Sequence, residues 1–529
     1  MRKINLLDCT LRDGGYVNDW AFGEENIKGF INKIATTNVE FIELGFMKGD
    51  TYDKDKSIYP DLDAVKNVIT PKNKSMKYFA MYDLSAPIPL DRFGKCDGTS
   101  LDGVRVIFKK NKLKEGLDAS KELLSRGYIV SINFVSTDVY SDEEFIEAIE
   151  KVNVIKPYTI VIVDTFGSMR NAKFTHYVKL ADKYLDKDIA LSYHAHNNLQ
   201  QAYTNATSFV ELNLDREIVI DASVFGMGRG AGNLNLELFA EYMNENYKTN
   251  YHIVPMLEIM DEYLQEIYHT KFWGYSLPLY ISGTLNVHPN YAMYMAERGT
   301  LTEKSLYEIL KNIKPEDTQV YKKEIAEKYY LDYQGSSIDD TADIEKLKEI
   351  FEGKRALILA PGRSINSYKD DILKVINSDD VVSISVNFYN EDFKTDFLFS
   401  SNMRRYGKLD GKYDVKSIIT SNMRDAVNKD YVINFYNIAL DKKEIIDNAG
   451  LMAINLLLKL KVKDVLLAGM DGYNPSNPYV YSDESTHYDF SKDASNRNEF
   501  IKRELNDMKK QIHITFVTPS KYEFSEGNV

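Results

Sequence analysis

Eight short runs rich in Val, Ile and Phe alternate with longer charged segments, and this alternation limits the fold more than any other feature of the 529 residues. The runs are residues 4–8, 39–46, 77–84, 104–108, 129–135, 159–164, 189–194 and 218–223. Between them, segments such as 24–36, 113–126, 142–152 and 198–212 carry apolar residues at helical spacing. Strands separated by helix-length segments are the pattern of an α/β protein with crossover helices. Eight such units in succession predict a closed (β/α)8 barrel rather than an open doubly wound sheet. In such a barrel the chemistry sits at the C-terminal ends of the strands. Run one ends in Asp8-Cys9-Thr10-Leu11-Arg12-Asp13, run six in Asp164-Thr165, run seven in His194-Ala195-His196-Asn197-Asn198 and run eight in Gly226-Met227-Gly228-Arg229-Gly230.

Beyond the barrel, 255–270 reads as an amphipathic helix, and 286–291 as a loop before further helices that run to about Tyr330. Small, polar and acidic residues at 335–341 predict a linker. A second α/β pattern begins near Arg355, with strands at 356–360, 381–386, 465–468 and 512–517. The expected organisation is a barrel over 1–290, a helical extension over 291–334, a linker over 335–350 and a Rossmann-like α/β domain over 351–529.

Composition excludes several classes. The 66 Lys+Arg against 79 Asp+Glu give a net charge of −13, which argues against a nucleic-acid or anionic-membrane binder. The 44% hydrophobic and 27% charged content is that of a globular protein. Two cysteines, Cys9 and Cys96, are too few for a disulfide framework, and Cys9 is expected in the core. The N-terminal run meets Asp8, Arg12 and Asp13 too soon for a secretory leader, and no apolar stretch is long enough to span a membrane. A cytoplasmic protein is expected, with homo-oligomerisation left open.

Two imidazoles at i and i+2 on one strand project to the same side, so His194 and His196 can share one ion above the barrel, with Asp13 as the carboxylate. Two nitrogens and one hard oxygen suit a divalent metal such as Mn²⁺, Mg²⁺, Zn²⁺ or Co²⁺ and leave positions open, as a catalytic site does. The competing reading is a pair of hydrogen-bonded strand-end histidines. Arg12 beside these ligands can stabilise an enolate oxygen, its alternative being a salt bridge.

DCTLRDGG, HAHNN and DASVFGMGRGAGN together resemble the metal-dependent pyruvate aldolases and acyl-transfer lyases built on the DRE-type TIM barrel (HMG-CoA lyase-like), and among them the 4-hydroxy-2-oxovalerate aldolases. The likeness runs from about Asn5 to Tyr291. It implies a divalent metal, usually Mn²⁺ or Mg²⁺, on Asp13, His194 and His196; a 2-oxo acid as substrate; enolate stabilisation by Arg12; and reversible aldol chemistry with an aldehyde. Those aldolases carry a catalytic histidine three residues after the metal Asp, where this chain has Tyr16. Tyr16, Tyr280 in LPLYISG and His288 in NVHPNY are the candidates for the missing acid-base group, with His288 favoured. Asp164 and Ser223 are candidates for orienting the imidazoles.

The second domain is similar to bacterial sialyltransferase-like nucleotide-binding domains, with Pro361-Gly362-Arg363-Ser364 as a glycine turn and Asn387 after its second strand. That likeness implies a nucleotide or nucleotide-sugar site with Gly362 near phosphate, Ser364 and Asn387 beside it, and His487 as a general base; Asp471 is a further strand-end candidate. The reading that follows is an aldolase joining or cleaving a 2-oxo acid and an aldehyde, in the setting of cell-surface sugar synthesis. A Claisen-type acyl-CoA synthase or lyase, and an inactive barrel serving as a binding protein, stand as the alternatives.

Overall fold

The structure is a computed structural model that describes residues 3–298, 300–335, 337–442, 445–474 and 494–523. The chain divides into two compact units, Met1–Ala292 and Met293–Val529.

In the first unit eight parallel strands close on themselves: β1 (Ile4–Asp8), β2 (Phe41–Met47), β3 (Lys77–Asp83), β4 (Gly103–Phe108), β5 (Ile129–Phe134), β6 (Thr159–Asp164), β7 (Ala190–Ala195) and β8 (Ile218–Ala222). Leu7 of β1 pairs with Asp221 of β8 on one side and Phe41 of β2 on the other, which completes the barrel. Every residue of β2, β6 and β7 is buried, because helices cover the outside while side chains fill the inside. The expected runs thus all form strands, shifted by at most two residues at either end.

The helices follow from local chemistry. Ser141 accepts from the Glu144 N–H while Glu144 reaches back to the Ser141 N–H, so Asp142–Ile155 starts with a capping box. Its buried residues Phe145, Ala148, Ile149 and Val152 recur at helical spacing and form one apolar stripe. The helix expected over 255–270 is three successive pieces, Ile253–Ile259, a π-helical turn Met260–Leu264 and Gln265–Thr270.

The second unit holds a seven-stranded, wholly parallel sheet: β9 (Arg355–Leu359), β10 (Val381–Val386), β11 (Phe397–Ser400), β12 (Lys416–Thr420), β13 (Tyr431–Ile433), β14 (Asp464–Ala468) and β15 (His513–Phe516). Its order, β13-β12-β11-β10-β9-β14-β15, reverses direction between β9 and β14. The helix Ala449–Lys459 is apolar almost all round, and Leu451, Met452, Ile454, Leu456 and Leu457 are all fully buried.

One expectation changes. Residues 335–350 read as a linker, yet Thr341–Phe351 is a helix whose Leu347 and Phe351 are buried in the second core, and Asp343 accepts from the Val432 N–H at 3.0 Å. The small, polar and acidic sequence of 335–341 hides the apolar pair Leu347 and Phe351 that follows it. The preceding helix Lys323–Gln334 also packs within this unit: Tyr330 donates to Asp447 at 2.8 Å and Asn422 to Gln334 at 2.6 Å.

Candidate metal centre at the barrel mouth

β1 runs directly into a π-helical turn, Thr10–Gly14, in which the Cys9 carbonyl accepts from both the Arg12 and Asp13 N–H groups. Such turns are rare and recur at functional sites. Asp8 accepts from the Thr10 N–H and hydroxyl, and Thr10 Oγ1 accepts from Val224 N–H at 2.9 Å, which ties the ends of β1 and β8 together. A Cβ on Gly15 would stand 2.0 Å from the Trp20 ring, so the second glycine of LRDGG allows the chain to fold over its own aromatic lid. Cys9 is fully buried with its thiol on the Ala222 carbonyl, a core residue as expected.

Asp13, His194 and His196 converge, with one ligand atom from each within 4.8 Å of the others. His194 Nε2 lies 3.8 Å from one Asp13 oxygen and His196 Nδ1 lies 3.7 Å from the other. Both nitrogens are buried and have no hydrogen-bond partner, and the Asn233 Oδ1 is likewise buried and unsatisfied. Buried polar atoms are nearly always paired. Orphaned lone pairs gathered around one carboxylate therefore fit a divalent cation, which would satisfy them together.

The electrostatics agree. Burial lowers the His196 imidazole to about 4, so it is neutral and has a lone pair to offer. Burial would lift the Asp13 carboxyl, but Arg12 and then the two imidazoles outweigh it and hold it well below the usual carboxylate range. Arg12, 4% exposed, donates through Nη1 to Asp13 and through Nε to Glu43 at 2.7 Å. Glu43 also accepts from Arg105 at 3.0 Å; Arg105 donates to Asp221, and Asp221 lies 3.1 Å from His194 Nδ1. A chain of buried charges thus leaves one candidate ligand, Asp13, and returns to another, His194. It holds three carboxylates and two guanidiniums, a net charge of −1 that a divalent ion would reverse.

Asp221 is thus the group that orients His194. Accepting the Nδ1–H leaves the Nε2 lone pair facing the site. The expected candidates act otherwise. The Asp164 carboxylate accepts from the Ser168 and Met169 N–H groups and fixes the loop after β6, and burial raises it to about 7. Ser223 has a buried hydroxyl with no partner and contributes only backbone bonds, to Leu234, Gly226 and Leu236. Asn233 was also missed. Its amide donates to Asp13 at 2.9 Å and to the Met227 carbonyl, and it is the last residue of the motif DASVFGMGRGAGN. We expect Asp221→Asn to weaken Mn²⁺ binding about 10–100-fold, the usual effect of losing a histidine-orienting carboxylate, when titrated by calorimetry. An unchanged affinity would remove Asp221 from this role.

The HMGL-like family model matches residues 111–261, which include both imidazoles, Asp221 and Asn233. That part of the barrel is similar to the HMGL-like family. An oxaloacetate decarboxylase of Mycobacterium tuberculosis is 22% identical over 238 residues, 45% of this chain and 68% of that protein. A 4-hydroxy-2-oxovalerate aldolase of Moorella thermoacetica is 20% identical over 303 residues, 55% of this chain and 86% of that protein. Among solved structures, the N-terminal domain of a provisionally titled aldolase from Bacteroides vulgatus covers 57% of this chain and 99% of its own, with 23% identity and a TM-score of 0.49.

Around the barrel mouth the acid-base candidates separate. Tyr16 is one turn beyond Asp13, is 41% exposed, and has the Arg229 guanidinium 5.5 Å from its ring centroid. His288 precedes the helix Pro289–Glu297, is buried, and meets Arg229 through Nε2, with the Phe166 ring at 5.4 Å. Burial and then Arg229 and Lys109 lower it to about 3. Tyr280 is exposed on Leu277–Leu285, with its ring turned toward Tyr275.

In the second unit a cavity of about 140 Å³ opens where the strand order reverses, between the ends of β9, β10 and β14. Gly362 and Asn387 line it, together with Asn448, Gly450, Asp471 and Tyr522. Asp471 accepts from both the N–H and the hydroxyl of Ser364, so a carboxylate already holds the place where that turn would meet phosphate. A Cβ on Gly362 would stand 2.2 Å from the Gly469 carbonyl, which explains this glycine by the close approach of two loops. Asn387 accepts from Ser400 at 2.7 Å. His487 lies outside the described residues. No helix among the described residues is long and apolar enough to cross a membrane.

Proposed function

We propose that the barrel is a divalent-metal-dependent pyruvate aldolase that makes or breaks the carbon–carbon bond between a 2-oxo acid and an aldehyde. The observation that carries this reading is the buried set of two unpartnered imidazole nitrogens around the Asp13 carboxylate, with Arg12 bonded to the same carboxylate. Asp13, His194 and His196 would hold the ion, and Mn²⁺ or Mg²⁺ bound there would supply Lewis acidity toward a ketone oxygen.

The chain's own residues do the rest. Arg12 is locked by Asp13 and Glu43, so its charge stands ready where negative charge grows on the substrate oxygen, at no cost in reorganisation. Trp20, whose indole donates to the Arg12 carbonyl at 2.8 Å, packs with Tyr16 and Phe46 and shields that side from water. For the proton, the geometry favours the phenol of Tyr16 over His288, because a buried imidazole facing a guanidinium is a weak base.

The test is exchange of pyruvate C3 protons for deuterons by the purified protein, with and without Mn²⁺. Metal-dependent exchange is expected, and Arg12→Lys should slow it about 10²–10³-fold while metal stoichiometry holds, because lysine lacks the planar fork. Exchange that needs no metal, or an Arg12→Lys protein of full rate, would defeat the reading. Acetyl-CoA serving as partner in place of aldehydes would move the assignment to Claisen chemistry, and metal binding with no exchange to a non-catalytic barrel.

For the second unit we propose a small-molecule site in the crevice between β9 and β14, the position where open parallel sheets bind ligands. A nucleotide or nucleotide sugar is the expected class, with its phosphate near the N-terminus of Ala449–Lys459 rather than at Ser364. Titration calorimetry against nucleoside diphosphates and their sugars tests this; an absence of heat across the panel would leave the unit a structural one.

A further inference from the structure

We propose that Arg229 is an anion-recognition residue at the barrel mouth and that the acceptor aldehyde carries a negatively charged group. The proposal rests on the aldolase reading above, which supplies the second substrate. Arg229 stands between Gly228 and Gly230, in a turn pressed against the metal ligands: a Cβ on Gly228 would lie 2.8 Å from an Asp13 oxygen. Gly230 takes the left-handed conformation, φ +67°, and Asn198 pins the turn by accepting from the Ala231 N–H at 2.8 Å and donating to the Phe166 carbonyl at 3.0 Å. The guanidinium is thus presented by a fixed turn next to the reaction centre.

Its surroundings lack a counter-charge. Arg12, the other arginine here, is bonded to Asp13 and Glu43. Arg229, half-buried, meets the Tyr16 ring face and His288, and no carboxylate pairs with it among the described residues. A partly desolvated guanidinium without an anion is costly, and its planar fork matches carboxylate and phosphate oxygens.

His288 adds a second, independent sign. Its Nδ1 faces the Asn290 N–H at 3.2 Å and its Nε2 faces Arg229. A neutral imidazole accepts at one nitrogen and donates from the other. With Nδ1 accepting, the His288 proton sits on Nε2, and the contact with Arg229 sets a donor against a donor. An oxyanion bound beside this pair would give both donors an acceptor, with Lys109 adding positive potential at His288. Carboxylate and phosphate share this chemistry.

The full-length, Mn²⁺-loaded protein is assayed for carbon–carbon bond formation between pyruvate and four aldehydes: succinate semialdehyde, glyceraldehyde 3-phosphate, propionaldehyde and glyceraldehyde. One of the two anionic aldehydes should be preferred, and which one separates a carboxylate from a phosphate. Arg229→Gln should lower kcat/KM for it on the order of ten- to hundredfold more than for its neutral counterpart, with Arg229→Lys restoring part of the difference. Equal losses for charged and neutral aldehydes would overturn the proposal. Titration calorimetry with succinate, glycerol 3-phosphate and glycerol reads the anion site without turnover. Heat from an anion that disappears in Arg229→Gln supports the site even if pyruvate exchange fails, in which case the aldolase reading falls alone. Absence of anion heat in the unsubstituted protein, together with no preference among the aldehydes, overturns the proposal.

Discussion

His196→Ala is expected to abolish measurable Mn²⁺ binding and, with it, all metal-dependent turnover, while the barrel stays folded. The imidazole lies one residue past β7, and its Nδ1 faces an Asp13 oxygen with no other partner, so it ties no secondary structure together. What its loss removes is one of the three donors that converge on the site, leaving only the neutral Asn233 Oδ1, a weaker ligand, as a substitute. Affinity should therefore fall by more than the roughly 10–100-fold that losing an orienting partner costs. Calorimetric titration of Mn²⁺ into His194→Ala and His196→Ala, with circular dichroism as the folding control, measures this. Retained stoichiometry and affinity in both variants would show that the ion, if bound, is bound elsewhere.

Arg105→Met should be the most destabilising single change in the barrel interior. Arg105 is 1% exposed on β4, and among the described residues it alone bridges Glu43 to Asp221. Methionine fills similar space but strips Asp221 of its guanidinium and leaves Glu43 to Arg12 alone, and breaking a buried ion pair from one side costs about 3–5 kcal/mol. The effect also spreads to function: Glu43 would hold Arg12 with altered charge, and Asp221 would hold His194 with altered charge. Urea unfolding followed by tryptophan fluorescence reads the loss, because Trp20 and Trp273 both lie in this unit. The triple variant Arg105→Met, Glu43→Gln, Asp221→Asn should recover part of it, since removing the stranded charges removes their penalty. A loss below about 1 kcal/mol for Arg105→Met, or strictly additive effects in the triple variant, would show that the charges are solvated independently.

The barrel could be read from the chain because its signal is periodic and local. Alternating strand and helix patterns need no knowledge of partners, and closure follows from their number. The convergence of Asp13, His194 and His196 was legible for a related reason: strand ends mark the mouth, and i, i+2 spacing at the end of β7 turns both imidazoles the same way. The helix Thr341–Phe351 was hidden, since a small, acidic start is what a linker and a helix entry have in common.

What surrounds the ligands was decided only by the folded barrel. Glu43, Arg105 and Asp221 sit on β2, β4 and β8, and each in isolation is one charged residue inside an apolar strand. Period-two alternation states that such a residue faces the barrel interior; it does not state which charge from another strand it will meet. Closure brings residues 62 and 116 positions apart into hydrogen-bond contact, and the low dielectric inside makes pairing obligatory for charges buried there. The same holds at the mouth, where Asp221 rather than Asp164 orients His194 and where Arg229 meets His288 across 59 residues. Sequence determined the scaffold and the atoms fit to hold an ion. The tertiary structure determined which charges fix those atoms, because pairing across a closed barrel depends on register and distance in space, which local periodicity does not carry.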